Sequence, residues 1–492
     1  MKTCLAYLAF DLGAESGRAV LGRLRNDRIE LQEIYRFSNG PVRVGDSLYW
    51  DVLRLWNEMT RGLSLAVREV GHSLVSLGVD TWGVDFGLLD IHDRLIGNPF
   101  HYRDRRTEGM PDSVSKQIPL AKVYQQTGIQ PMAINSLYQL LAMAIEDSPQ
   151  LAAARTFLNM PDLLNFWFSG VKASEYTIAT TTQCYCPSNQ NWAWDLLRST
   201  EIPPYIFGHI VPPGAELGKI RPGIAEESGS ASLNIIAVAS HDTQAAIAAI
   251  PVETEDYIYL SSGTWSLMGI EVEKPLITEK SRALGFSNEG GYGGKFCLLK
   301  NITGLWLLQE CRREWASAGW DYTYEDLTHM AASAASFRSF IVPTDAVFLS
   351  PGKMTNRIQT YCRSTDQPIP EQPAEFVRCI LESLALEYRH CTEQICELTG
   401  RTLPVIHVIG GGAKNELLNQ FTANASGRRV ISGPAEATAL GNILVQSITS
   451  GELRSLAEAR SLSSHSTETH EFTPCDTTLW DQAYERSLHW RN

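Results

Sequence analysis

Short apolar runs alternate with stretches of helical periodicity along the whole chain. Tyr7–Phe10 is wholly apolar and predicts a strand that ends at Asp11. Val52 to Val70 carries apolar residues at helical spacing, with Asp51 placed to cap the start and Gly71 to end it. Val75–Val79 predicts a second strand and leads into Asp80. Ile235–Ala239 predicts a third, followed by Ser240-His241-Asp242-Thr243 and an Ala-rich helical stretch. Later, Phe376 to Leu398 predicts a long amphipathic helix that stops at Gly400. After it come a strand at Val405–Ile409, a glycine loop at Gly410–Gly412 and a helix at Asn415–Ala425. Such alternation predicts an α/β architecture.

One segment echoes another. LAFDLGAESGR begins at Leu8 and IYLSSGTWSL at Ile258, so Asp11 aligns with Ser261 and Gly13 with Gly263, an offset of 250 residues in both cases. Each is an apolar strand running into a small, polar turn near the start of one half of the chain, which points to a duplicated domain. The periodicity breaks at Ile250-Pro251, predicting domains at 1–250 and 251–492. Beyond Gly451 the chain is polar and Ser-rich, then ends in a Trp- and Tyr-bearing helix expected to pack back.

The 492 residues are 44% hydrophobic and 20% charged, ordinary for a globular protein. A net charge of −13, from 42 basic and 55 acidic residues, argues against nucleic acid, which is met by a basic face. It does not exclude nucleotides, since a local site can be positive. The opening Met1-Lys2-Thr3-Cys4 and the short run after it lack the pattern of a signal peptide, and no stretch approaches the ~20 apolar residues of a membrane span. A cytoplasmic enzyme with no membrane partner is expected, as a monomer or small homo-oligomer. Neither Cys184 with Cys186 nor His390 with Cys391 and Cys396 has structural-zinc spacing, so the ten cysteines are expected to be free thiols.

A P-loop is ruled out at Gly294-Lys295, because Phe296 follows and Glu289 stands where the first Gly belongs. A dinucleotide fingerprint fails at Gly410, because Asn415 occupies the last Gly position. What remains is a set of turns at strand ends. Gly13 to Gly17, with Ser16 and Arg18 nearby, offers either a phosphate-gripping set of backbone amides or an ordinary hairpin turn. Gly263-Thr264 repeats it. Asp11, at a strand's carboxyl end, suits Mg²⁺ through water or is a solvated turn residue. Asp242 either accepts a substrate proton at a helix N-terminus or, with Ser240, caps that helix. His241 beside it either contacts substrate or is satisfied locally. Asp80 to Asp85 sets Trp82 and Gly83 where a ring can stack on a sugar, or where Trp82 packs in the core. His101 to Arg106 is a sugar loop or a solvated face, and Gly410–Gly412 admits a flat group such as adenine or is a tight turn.

Taken in order, ten segments resemble the FGGY carbohydrate kinases of the actin-like ATPase superfamily. They are DLGAESGR at Asp11, DTWGVDF at Asp80, YRDRRT at Tyr102, NMPD at Asn159, ATTTQ at Ala179, SHDT at Ser240, LSSGTWSLMG at Leu260, NEGG at Asn288, LKNITGLWLLQE at Leu299 and VIGGGAKNELLNQ at Val408. The resemblance implies two ribonuclease-H-like domains with an interdomain cleft, the first mostly holding sugar and the second mostly ATP. It implies transfer from Mg-ATP to the 1-hydroxyl of L-rhamnulose, with L-fuculose or another ketose as the alternative. By position it makes Asp242 the general base, with His241, Thr243, Gly83, Asn301 and Trp82 on the sugar. Ala14, Glu15, Ser16, Gly17, Arg18, Thr264, Gln309 and Gly411 fall at ATP, and Asp11 at the metal. Glu15 departs from the pattern, since a small hydroxyl residue is usual there and a carboxylate beside phosphate repels unless it faces away or reaches the metal.

Overall fold

In this computed structural model residues 5–25 and 27–491 are described; Cys4 lies outside them. The chain divides into two compact units. The first comprises the chain through Glu253, with Glu271–Leu298 and Ala437–Ser466; the second comprises Thr254–Ile270, Leu299–Glu436 and the chain from Thr467.

The first unit is built on a six-stranded sheet ordered Ala215–Lys219, Asn234–Ala237, Leu74–Thr81, Ala6–Leu12, Ser16–Arg25 and Arg28–Ser38. Ala6–Leu12 is central: it runs parallel to Leu74–Thr81 and antiparallel to Ser16–Arg25. All seven of its residues are buried, because both sheet faces are covered. Ala6, Leu8, Phe10 and Leu12 share a core with Leu55, Met59 and Leu63 of the helix Val52–Val70. Asp51 accepts from the Arg54 N–H and Gly71 terminates that helix with φ 56°, as the sequence predicts. On the other face Tyr7 bonds Ser450 at 2.8 Å, just past the helix Ala437–Thr449.

That last helix explains why the compact units depart from a single cut at 250. Gly441 meets the backbone of Ala245 so closely that a β-carbon there would lie 1.8 Å from the Ala245 carbonyl oxygen. Asn442 donates to Gly78 O and Asp80 Oδ2, and Gln446 to Leu8 O. A small residue against the helix Asp242–Ala248 and two amides against the sheet bind this late helix to the first unit.

In the second unit the strand Tyr257–Ser262 runs antiparallel to Trp265–Val272 and parallel to Val405–Ile409, which is parallel to Arg429–Ser432. The first unit has the same pattern, so the sequence echo is a repeat of topology. In both turns the glycine N–H closes the hairpin: Gly13 to Ser16 O and Gly263 to Trp265 O, each 2.9 Å. The 27-residue helix Pro373–Thr399 packs beneath and joins the sheet through Tyr388, whose hydroxyl lies 2.7 Å from Ser266 Oγ. The final helix, Thr477–Leu488, packs back as expected, with Trp480 and Tyr484 buried and Tyr484 bonded to Glu393 at 2.6 Å. No helix among the described residues is long and apolar enough to cross a membrane.

Candidate active site

Three strand ends of the first unit lie side by side. The Thr81 N–H donates to Ser240 O at 2.9 Å, and the Trp82 N–H to Leu12 O at 3.3 Å. Asp11, Asp80 and the His241-Asp242 pair are thereby gathered at the carboxyl ends of adjacent strands, where α/β folds place ligands.

Asp242 opens the helix Asp242–Ala248, but His241 occupies the capping position and no side chain caps it. Ser240 Oγ turns instead to Val238 O. Asp242 Oδ1 accepts from the Thr243 N–H at 2.6 Å and lies 3.2 Å from the Thr243 hydroxyl. The capping alternative for Asp242 and Ser240 therefore fails geometrically. Burial raises the Asp242 pKa, His241 opposes this, and Asp11 adds to it. His241 is buried, with Nδ1 3.1 Å from Glu289 Oε2 and Nε2 3.5 Å from Asp242 Oδ1.

A short helix, Tyr176–Thr181, ties these parts together. Glu175 caps it through the N–H groups of Thr177 and Ile178, and the same carboxylate accepts from the Ser240 N–H at 3.1 Å. Thr177 Oγ1 accepts from the His241 N–H at 3.2 Å. Thr181 lies against Gly83, where a β-carbon would come within 3.2 Å of its hydroxyl. Burial pushes Glu175 up to about 7 despite its four hydrogen bonds. Glu175 and Glu289 are the site residues that sequence reasoning missed as individuals; only the NEGG segment marked the second.

Asp11 is bonded to Arg18, its register partner across the hairpin. Arg18 thus neutralises Asp11. Gly17 has a packing reason of its own: a β-carbon there would sit 2.3 Å from the Phe37 ring. Ala14 and Ser16 are half-buried and Glu15 is exposed, its carbonyl accepting from the Asn39 N–H at 2.9 Å. Asp80 is fully buried and pairs in register with Asp11; burial first, then Asp11, raises it well above the usual carboxylate range. Its Oδ2 accepts from Asn442 at 2.6 Å while Oδ1 has no hydrogen-bond partner.

Trp82 is 6% exposed, and its ring centroid lies 4.0 Å from that of Trp50. Its indole N–H is spent on Asp85. Trp82 thus packs against Trp50, while Gly83 faces the site helix. From the His101 to Arg106 segment, His101, Tyr102 and Asp104 are buried, and the half-buried Arg106 bonds Gln139 through both Nη atoms.

The remaining positions belong to the second unit. Thr264 O accepts from the N–H groups of Gly304 and Trp306, starting the helix Trp306–Ser317 that carries Gln309. Gln309 Oε1 is buried without a hydrogen-bond partner. Gly410, at φ 81°, and Gly412 press against Ser262, whereas the side of Gly411 where a β-carbon would project is open. Thr264 and the glycine loop thus gather around one strand end, Ser262. Asn301 sits half-buried on the strand Phe296–Thr303.

Comparison with known proteins decides the family. The N-terminal domain of the FGGY family of carbohydrate kinases matches residues 6–249 and its C-terminal domain residues 258–450. The chain belongs to the FGGY family of carbohydrate kinases. An FGGY relative in Bacteroides thetaiotaomicron, a rhamnulokinase, is 44% identical over 486 residues, covering 99% of both chains. A rhamnulokinase of Oceanobacillus iheyensis is 40% identical, covering 96% of this chain and 98% of its own. Among solved structures, gluconate kinase from Lactobacillus acidophilus superposes with a TM-score of 0.83 at 15% identity, over 99% of this chain and 98% of that one. Glycerol kinase from Plasmodium falciparum with ADP gives 0.78 at 15%, with the same coverage. These likenesses establish the actin-like ATPase fold for an FGGY carbohydrate kinase.

Proposed function

We propose that this kinase transfers the γ-phosphoryl group of ATP to the 1-hydroxyl of L-rhamnulose, giving L-rhamnulose 1-phosphate and ADP in L-rhamnose catabolism in the cytoplasm. The observation that carries the chemistry is Asp242, a partly exposed carboxylate at a strand end, fixed by Thr243 and flanked by His241. The sugar is argued from the rhamnulokinase relatives, which match over nearly the full chain.

Asp242 takes the proton of the 1-hydroxyl as its oxygen attacks the γ-phosphorus, and ADP leaves. A raised pKa makes Asp242 a stronger proton acceptor than an ordinary carboxylate. His241, Thr243, Gly83 and Asn301 hold the sugar, with Trp82 supporting the Gly83 turn from within. Ala14 to Arg18 present amides to phosphate. Thr264, Gln309 and Gly411 hold the nucleotide; the unpartnered Gln309 oxygen and the open side of Gly411 support this. Mg²⁺, when bound, neutralises phosphate charge. Asp11 and the unpartnered Asp80 Oδ1, register partners on adjacent strands, bring carboxylate oxygens to one end of the sheet and would hold the ion together with phosphate and water.

A coupled ADP-release assay across a panel of ketoses tests the proposal. L-rhamnulose should give the highest kcat/KM. A higher value with L-fuculose, or ADP release indifferent to sugar, would replace the assignment.

A further inference from the structure

His241 is held between two carboxylates. Glu289 Oε2 lies 3.1 Å from Nδ1 and Asp242 Oδ1 3.5 Å from Nε2. Nδ1 has no hydrogen-bond partner of good geometry, so the two approaches are ion-pair contacts, favourable only while the ring carries its second proton. Burial alone would strip the second proton from the ring. Here burial is the largest single influence and acts that way, yet Glu289, Asp242 and Glu175 together outweigh it and raise the His241 pKa.

Glu289 is itself fixed. Its strand, Ser287–Gly290, is buried at every residue. The Gly290 N–H donates to Thr180 Oγ1 at 2.8 Å, locking the strand onto the helix that also holds the His241 backbone. Gln244 Nε2 approaches Glu289 Oε2 at 3.4 Å, and Cys297 Sγ donates to Gln244 Oε1 at 3.0 Å. The chain of contacts therefore runs from Cys297 through Gln244, Glu289 and His241 to Asp242.

We propose that Glu289 is a positioning residue that holds His241 as an imidazolium with Nε2 turned to Asp242, keeping the base ionised and aimed. This rests on the assignment of Asp242 above. Glu289 need touch neither substrate; it acts through His241.

The test is Glu289→Gln in the full chain, with L-rhamnulose, ATP and Mg²⁺. Expected is a fall in kcat of about 10- to 100-fold, part of the ~10²–10⁴ that a positioned base contributes, with KM for ATP within about twofold. The alkaline limb of the kcat profile, where His241 loses its proton, should move to lower pH by about one unit or more. Glu289→Asp should recover part of the rate. In a His241→Asn background, Glu289→Gln should add less than about twofold, since the coupling partner is gone. The proposal is overturned by a kcat within about threefold of the parent and an unmoved limb. It is equally overturned by an undiminished effect in the His241→Asn background, or by a lowered melting temperature with unchanged kcat. Asp242→Asn measured alongside separates the two assignments: an active Asp242→Asn removes the base itself, whereas an inactive one beside an unaffected Glu289→Gln removes only the role of Glu289.

Discussion

The indole nitrogen of Trp82 donates to Asp85 Oδ2 at 2.9 Å, and the same oxygen accepts from Trp50 Nε1 at 2.6 Å and the Tyr102 N–H at 3.3 Å. Gln139 Nε2 satisfies Oδ1 at 2.8 Å. One buried carboxylate thus holds two indoles and the start of the Tyr102 to Arg106 segment. Burial pushes Asp85 up to about 6, with these hydrogen bonds opposing it. The folded-state pKa is above the unfolded one, so the native state binds the extra proton. Its contribution to stability is complete below about pH 4 and is lost as pH rises through about 6. Asp85→Asn cannot titrate. Its destabilisation relative to the parent, measured by urea unfolding, should be about 2 kcal/mol smaller at pH 7 than near pH 4.5.

Gly441 lets two helices of the first unit touch through their backbones. With a β-carbon 1.8 Å from the Ala245 carbonyl oxygen and 2.6 Å from its carbon, no rotamer change relieves the clash. Gly441→Ala should cost more than about 3 kcal/mol. Because Ala245 lies one turn from Asp242, sugar-dependent ADP release should fall as well. Thermal unfolding and the rate per folded molecule check both.

Neighbouring glycines at 411 and 412 should behave oppositely. A β-carbon on Gly411 meets nothing within 4 Å, while on Gly412 it would lie 2.0 Å from Ser262 Oγ. Gly411→Ala should leave stability within about 0.5 kcal/mol but raise KM for ATP about tenfold, with KM for the sugar unchanged. Gly412→Ala should destabilise by about 1–3 kcal/mol. An unchanged KM for ATP in Gly411→Ala would move the nucleotide away from this loop.

Much of the frame was legible because an apolar run followed by one acidic residue marks a buried strand meeting a site. Tyr7–Phe10 became Ala6–Leu12, Val75–Val79 became Leu74–Thr81, and Val52–Val70 stands as the sequence predicts. The placement of Asp11 and Asp242 at or just past the ends of buried strands was legible for the same reason. The bond from Trp82 to Asp85 was not, because a Trp at a strand end reads alike whether its N–H meets solvent or a buried carboxylate. Glu289 and Glu175 were not, since neither stands at the end of an apolar strand and their partners lie 48 and 65 residues away, at His241 and Ser240. The helix Ala437–Thr449 reads from sequence as part of the second half. Only the pairing of Gly441 with Ala245, and of Asn442 with Asp80, assigns it to the first unit.

The most direct measurement is single-turnover phosphoryl transfer by Asp242→Asn with L-rhamnulose and ATP, beside calorimetric sugar binding. Asn keeps the shape and an oxygen for Thr243 but cannot take the hydroxyl proton. The transfer rate should fall by about 10²–10⁴, with the sugar Kd within about threefold of the parent. Transfer at a near-normal rate would contradict the role of Asp242 as the base.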